Sequence, residues 1–443
     1  MKMKLSHTQI IALGFLLLIG MGTALLSLPV ATAEGVRAPL LTALFTAVSS
    51  SCVTGLVLRD TATYWSAFGK TVIICLIQIG GLGVMTISTL FFLLLRRRVG
   101  LRQREVLTES INSTAVGGIL RLIRLILTGT AVVELTGALL LAIRFVPRFG
   151  AGQGIAYALF HSVSAFCNAG FDLMGVLEPY SSFCAFSADW LVNLTLIALI
   201  VVGGLGFTVW DDLLKNGLRF RRYRFQTRVV LVTSLTLLLG GTLLIWLAER
   251  GATAAGLSAG EQLLTSLFGA TTARTAGFNT VDTGAMSDGG KFVTMLLMFV
   301  GGSPGSTAGG VKTTTFAVIL VMAASAVAHR ASPVFLGRRI PDDVLHKAVS
   351  VVVINLGFAL AGTLILCIGQ RFPLTDALFE CVSAIGTVGM TTGITRDLNT
   401  LSALAVAVLM FAGRVGSVSF AMALVERKAR PAVTYPTEDL TIG

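Results

Sequence analysis

Four short stretches of this chain end in a glycine at nearly the same distance from a phenylalanine: Phe45 to Gly55, Phe160 to Gly170, Phe268 to Gly277 and Phe379 to Gly389. The interval is ten residues in three copies and nine in the third. The chemistry this spacing serves is the binding of a dehydrated cation. Such an ion needs several oxygen ligands, and consecutive backbone carbonyls on an extended strand supply them without a charged side chain. Glycine at the end of each strand permits positive φ, which lets neighbouring carbonyls turn toward one axis. The candidate filter strands are Val53-Thr54-Gly55, Asn168-Ala169-Gly170, Thr275-Ala276-Gly277 and Thr387-Val388-Gly389, with the cation held at their backbone carbonyls. A lone glycine in an apolar protein more often marks a kink, but four at matching offsets argue for one shared task.

Other polar groups sit inside apolar stretches. Gly301-Gly-Ser-Pro-Gly-Ser-Thr-Ala-Gly-Gly310 interrupts one of them and runs into Val311-Lys312. It is not a nucleotide-binding loop, because Val311 separates the glycine from Lys312 and apolar spans surround it. The bland alternative is a simple helix kink, and its small residues and spare hydroxyls leave little to pack. Arg414 lies mid-span, where a charge costs about 2.5–3.5 kcal/mol to insert, so it faces protein or water and marks an ion path. Two places stay open for Lys312, on the interrupted stretch or at the cytoplasmic mouth. Glu134 reads as an interhelical hydrogen-bond partner or as a functional group, and Asp211 and Asp212 are expected at a membrane surface. Four histidines without ligand spacing, and six scattered cysteines read as small buried hydrophobes, leave no metal site.

These strands must be held by membrane elements. Hydrophobic residues make up 54% of the 443 and charged residues 13%, too few charges to cover a water-facing surface. Long apolar runs flank each strand, at 8–30 and 68–95, 117–145 and 187–214, 226–249 and 290–326, and 346–370 and 399–425. Each second run carries a glycine motif: Gly80-Gly81-Leu-Gly83, Gly203-Gly204-Leu-Gly206, Gly301-Gly302-Ser-Pro-Gly305 and Gly413-Arg414-Val-Gly416. The segment between the runs is too short and polar to cross alone. Non-helical backbone at that depth must be buried or line a water-filled cavity, so it folds as a re-entrant pore helix and strand. The expected fold is therefore an all-α polytopic membrane protein, K+-channel-like. It has four M1–pore loop–M2 repeats around one central pore, eight transmembrane helices and four re-entrant pore helices. The units are 1–98, 99–224, 225–339 with the loop 301–312, and 340–426, followed by a cytoplasmic tail 427–443.

The net charge of +12 raises nucleic acid as a partner, but the placement of the charges excludes it. Arg96, Arg97, Arg98, Arg102 and Arg104 follow one apolar run; Lys215, Arg219, Arg221, Arg222, Arg224 and Arg228 follow another. Arg330, Arg338, Arg339 and Lys347 form a third group, and Arg427, Lys428 and Arg430 a fourth. This is the positive-inside pattern, which places both termini in the cytoplasm. The run Ile10–Val30 is longer than a signal-peptide core and is read as a retained span. A membrane enzyme would need carboxylates, histidines or a nucleophile gathered at one depth, and none is evident. A solute carrier with broken helices usually has inverted repeats, whereas these four share one direction.

The motifs Val-Thr-Gly-Leu, Asn-Ala-Gly-Phe, Arg274-Thr-Ala-Gly-Phe-Asn279 and Thr-Val-Gly-Met resemble those of the Trk/Ktr/HKT potassium transporters, over essentially the whole chain. The likeness is nearest to the bacterial Ktr pore subunits, including the ending Tyr435-Pro436…Thr441-Ile442-Gly443. The serine of sodium-selective plant relatives is absent at the first filter position, so Gly55 implies potassium preference. The resemblance implies a gate formed by Gly301, Gly302, Ser303, Gly305, Ser306, Thr307, Gly309, Gly310 and Lys312. It also implies that Arg414 projects beside that gate as an electrostatic brake. It further implies a homodimer of pore subunits in the bacterial cytoplasmic (inner) membrane, docked on a cytosolic KtrA-type regulatory ring that binds ATP or ADP. This chain carries no nucleotide motif of its own. Members of the family can depend on Na+, and no residue set here decides that.

Overall fold

The computed structural model describes residues 7–83, 119–330 and 332–416. Among them, four helices are long and apolar enough to cross a membrane. They are the outer helices His7–Leu26, Ile119–Phe149, Phe225–Glu249 and Asp342–Gln370. The shortest has 20 residues, which at about 1.5 Å per residue matches the roughly 30 Å hydrocarbon layer. Their exposed faces carry leucines, among them Leu17, Leu139, Leu239 and Leu364. A surface rich in leucine on all four outer helices suits lipid and not water.

Inside this layer lie the short pore helices Leu40–Ser51, Ala151–Phe166, Ala259–Thr272 and Leu374–Gly386. Local chemistry starts them: Pro39 and Pro373 precede the first and fourth, and Ser258 and Glu261 form a capping box on the third. The first pore helix buries Thr46, Ser49, Ser50 and Ser51. Each outer helix packs along the pore helix that follows it.

The inner helices are Ala67–Leu82, Trp190–Gly204, Asp288–Phe299 and Thr400–Val415. Each packs against the next pore helix in the chain, and the fourth returns to the first. This order closes a ring. The sequence places the second spans at 68–95, 187–214, 290–326 and 399–425 and marks an interruption in the third; residues 84–95 and 417–425 lie outside the described residues. Among the described residues all four inner helices stop at the glycine motif. The last glycine of the motif has positive φ at Gly83 (+87°), Gly206 (+95°) and Gly416 (+97°), a backbone turn that ends an α-helix. After Gly206 the chain resumes as Phe207–Asn216, bent by 98°. After the loop 301–312 it resumes as Thr313–Val327.

A two-stranded hairpin, Val334–Phe335 with Arg338–Arg339, carries part of the third basic group. Asp212 does not face the surface as expected. It is buried, accepting the Arg224 amide (2.8 Å) and the Asn216 side chain (2.8 Å), and so fastens the basic turn to the bent helix. Asp211 pairs with Lys215. Of the cysteines, Cys52, Cys167 and Cys381 are buried and Cys75 is exposed. The basic residues 96–104 and 427–430 and the tail 427–443 lie outside the described residues.

Candidate cation pathway

The candidate strands meet as one ring. A Cβ placed on Gly55 would press on the Ala169 carbonyl, one on Gly170 on the Ala276 carbonyl, one on Gly277 on the Val388 carbonyl, and one on Gly389 on the Thr54 carbonyl. Each glycine is thus in contact with the next strand, and the last with the first. All four have positive φ, from +67° to +101°. The residue two places earlier does as well: Val53 (+58°), Asn168 (+58°), Thr275 (+76°) and Thr387 (+52°). Alternation of left-handed and ordinary conformations turns successive peptide units to the same side. The side chains of all eight residues that precede the glycines are buried among the strands and their neighbours.

Sequence reasoning passed over the groups that hold these strands. Four residues after each motif phenylalanine stands a hydroxyl: Ser49, Ser164, Thr272 and Ser383. Ser49 Oγ accepts the Gly55 amide (3.0 Å) and Ser383 Oγ the Gly389 amide (3.1 Å). Ser164 Oγ donates to the Phe171 carbonyl (2.7 Å), and Thr272 Oγ1 to the Phe278 carbonyl (2.6 Å). One place after the phenylalanine the four copies differ. His161 Nε2 accepts the Leu173 amide (2.9 Å), while Glu380 accepts the hydroxyls of Thr391 (2.7 Å) and Thr395 (2.5 Å). Both tether the segment leaving the ring. Gly269 has no side chain to do so, and a cavity of about 30 Å³ lies beside it. Reading the four stretches in register is the signal that finds both positions.

Outside the ring a cavity of about 100 Å³ is lined by the four glycines, Asp60, Asp172, Asp282 and Arg396, among others. Asp60 accepts the Tyr180 amide (3.1 Å), and the Arg396 guanidinium stacks on the Tyr180 ring. Burial, reinforced by the neighbouring Asp60 carboxylate, pushes the Asp172 pKa up to about 7.

On the other side lies the loop 301–312. Its ends are stitched together: the Gly301 amide donates to the Val311 carbonyl (2.8 Å) and the Thr313 amide to the Gly302 carbonyl (3.1 Å). Gly301 faces the Thr275 methyl, and Gly309 is so close to Thr387 that a Cβ would strike its hydroxyl. The loop therefore sits against the third and fourth strands. The spare hydroxyls expected from the sequence are engaged. Thr307 Oγ1 donates to the Phe166 carbonyl (3.1 Å), Ser306 Oγ to the Ser303 carbonyl (2.7 Å), and Thr313 Oγ1 to Ser303 Oγ (3.2 Å). The Ser303 amide donates to Gly204 (3.0 Å), and Gly305 accepts the Phe207 amide (2.8 Å). These two bonds join the loop to the broken inner helix of the second unit.

Two cations hold the loop. Arg414 donates to the Thr307 carbonyl and to the carbonyls of Gly80 (2.5 Å) and Gly81 (3.0 Å), where the first inner helix ends. Lys312 Nζ turns back onto the carbonyls of Ala308 (2.7 Å) and Gly309 (3.3 Å), so of its two open places the structure gives the loop. Glu134 accepts the Gln78 side chain (3.3 Å), linking the second outer helix to the first inner helix.

The profile of the TrkH family, described as a cation transport protein, matches residues 6–431. The Ktr system potassium uptake protein B of Bacillus subtilis is 37% identical, covering 99% of this chain and 97% of that protein. The potassium/sodium uptake protein NtpJ of Enterococcus hirae is also 37% identical, covering 100% and 98%. Among solved structures, the potassium transporter TrkH from Vibrio parahaemolyticus shares the fold, with a TM-score of 0.74 at 18% identity, over 96% of this chain and 86% of that one. A closed ring of glycine-ended strands within a membrane-spanning shell, together with these matches, identifies the chain as a multi-pass membrane protein of the TrkH family, a family of cation transporters and not of enzymes.

Proposed function

We propose that this chain is the ion-conducting subunit of a Ktr-type system that takes up K+ across the bacterial cytoplasmic membrane. The carbonyls of Val53-Thr54-Gly55, Asn168-Ala169-Gly170, Thr275-Ala276-Gly277 and Thr387-Val388-Gly389 replace the hydration shell of the ion. The units 1–98, 99–224, 225–339 and 340–426 each supply one quarter of the filter. The loop 301–312 is the gate, and Arg414 and Lys312 are the cations that hold it shut and set the spacing of ions beneath the filter. A potential of about 100 mV supplies about 2.3 kcal/mol per charge, enough for roughly 50-fold accumulation. Control therefore falls on the gate. A homodimer of pore subunits on a cytosolic nucleotide-binding ring, with both termini of the chain in the cytoplasm, accounts for the basic groups at the helix ends. The name of the Enterococcus hirae relative supports sodium as a second cation in transport.

The observation that carries this reading is the ring of Gly55, Gly170, Gly277 and Gly389, each against a carbonyl of the next strand. The test is growth of a bacterium lacking potassium uptake, on low potassium, with the chain expressed with and without its ring subunit. Rescue by the wild type and its loss in Gly277→Asp is the expected result. Absence of rescue in both settings, with insertion confirmed, overturns it and directs attention to sodium flux.

A further inference from the structure

Arg274 is a guanidinium set at the inner end of the third pore helix, immediately before Thr275. At the same place in the other three turns stand Cys52, Cys167 and Gly386, all small and uncharged. Its side chain reaches outward to a single residue on the third outer helix, donating to the Ser234 carbonyl (3.3 Å) and to Ser234 Oγ (3.2 Å). Its Nε is enclosed with no hydrogen-bond partner among the described residues. Arg274 borders a space of about 20 Å³, shared with Gly204 and with Gly302 of the loop 301–312. No carboxylate among the described residues pairs with it. A charge buried without a counter-charge is held by its hydrogen-bonding geometry, and a guanidinium differs from an ammonium in carrying that geometry as a rigid planar fork.

This matters at Thr275, the next residue. It holds φ at +76°, a strained conformation for a β-branched residue, and it lies between the loop (Gly301) and the second strand, where its hydroxyl meets the Asn168 side chain at 3.1 Å. The other three turns are fixed by backbone packed against inner-helix glycines: Ser51 on Gly80, Phe166 on Gly203 and Ile385 on Gly413. The third turn is one residue shorter from phenylalanine to glycine, and it has Arg274 instead.

We infer that Arg274 is a positioning residue for the third quarter of the ring: its fork on Ser234 fixes the turn that sets Thr275 and so contributes to the discrimination of K+ from Na+. The inference rests on the filter reading above. The test reconstitutes the full-length wild-type chain, Arg274→Lys, Ser234→Ala and the double variant in proteoliposomes. The readout is the ratio of rubidium to sodium flux, which does not depend on how much protein folds. Potassium-selective flux in the wild type is the control; its failure overturns the filter reading and leaves these variants to be judged on thermal unfolding alone, where a double variant no less stable than Arg274→Lys still supports the fork and additive destabilisation overturns it. With the control in place, Arg274→Lys lowers the ratio several-fold and Ser234→Ala lowers it less. The double variant is no worse than Arg274→Lys, because both remove one interaction. A ratio unchanged in Arg274→Lys, or effects that add in the double variant, overturns the inference.

Discussion

The ring and the loop beneath it are built on opposite principles. The ring repeats one backbone device four times, with unlike buried side chains: Val, Asn, Thr and Thr at the first positive-φ place. Among the described residues the loop occurs once, and what holds it is particular: Thr307 on Phe166, Ser303 on Gly204, Arg414 on Thr307. The ring needs exact geometry at every quarter and tolerates varied chemistry. The loop needs specific partners, and its purpose under the proposed function is to leave them. The ring is made by repetition and the loop by exception.

That contrast is breakable by substitution. The largest effect is expected in the ring. Gly389→Ala adds a Cβ that strikes the Thr54 carbonyl, at a φ of +94° that itself disfavours L-residues by about 1–2 kcal/mol. Rubidium uptake should fall to background while the protein still inserts; retained uptake would mean that the ring is not the filter. The loop should respond in the other direction. Arg414→Ala removes three hydrogen bonds to Thr307, Gly80 and Gly81, and flux should rise. A loss of about 1.4 kcal/mol from the barrier is roughly tenfold in rate, and unchanged flux would remove Arg414 from the gate.

A smaller effect separates quarters of the ring from one another. Glu380→Ala frees the segment after the fourth strand by releasing Thr391 and Thr395, and should lower potassium-over-sodium discrimination a few-fold, with Glu380→Gln recovering part of it. An equal loss in both variants would show that the charge matters and not the tether. The smallest effect concerns the mouth. With a pKa raised to about 7, Asp172 carries its charge above that pH and loses it below. Uptake at low potassium should therefore decline as external pH falls from about 8 to about 6, and Asp172→Asn should flatten the profile. A profile unchanged by that substitution would assign the titration elsewhere.

The sequence made the strands legible because glycine at a fixed distance from phenylalanine is a strong mark. It made the loop legible because so many small polar residues are out of place in an apolar span. Three features were not legible, for separate reasons. Positive φ at Val53, Thr275 and Thr387 runs against β-branched preference and is imposed by closure of the ring. The breaks at Gly83, Gly206 and Gly416 are hidden because apolar residues continue past them, as Phe207 does past Gly206, and hydropathy does not register a change of direction. The carbonyl partners of Arg414 lie more than 100 residues away in the chain, at Thr307 and Gly80, and no local pattern announces them.

All four quarters of this ring belong to one chain, and that sets the dosage of any substitution. In an opening formed by four identical subunits, one codon change alters every quarter together. Here it alters a single quarter and leaves three as they were. Under the proposed function, fine gradations of ion preference are therefore accessible to single mutations. The glycine-rich stretch 301–310 follows the same logic, since one chain can place it in one quarter without repeating it in the other three.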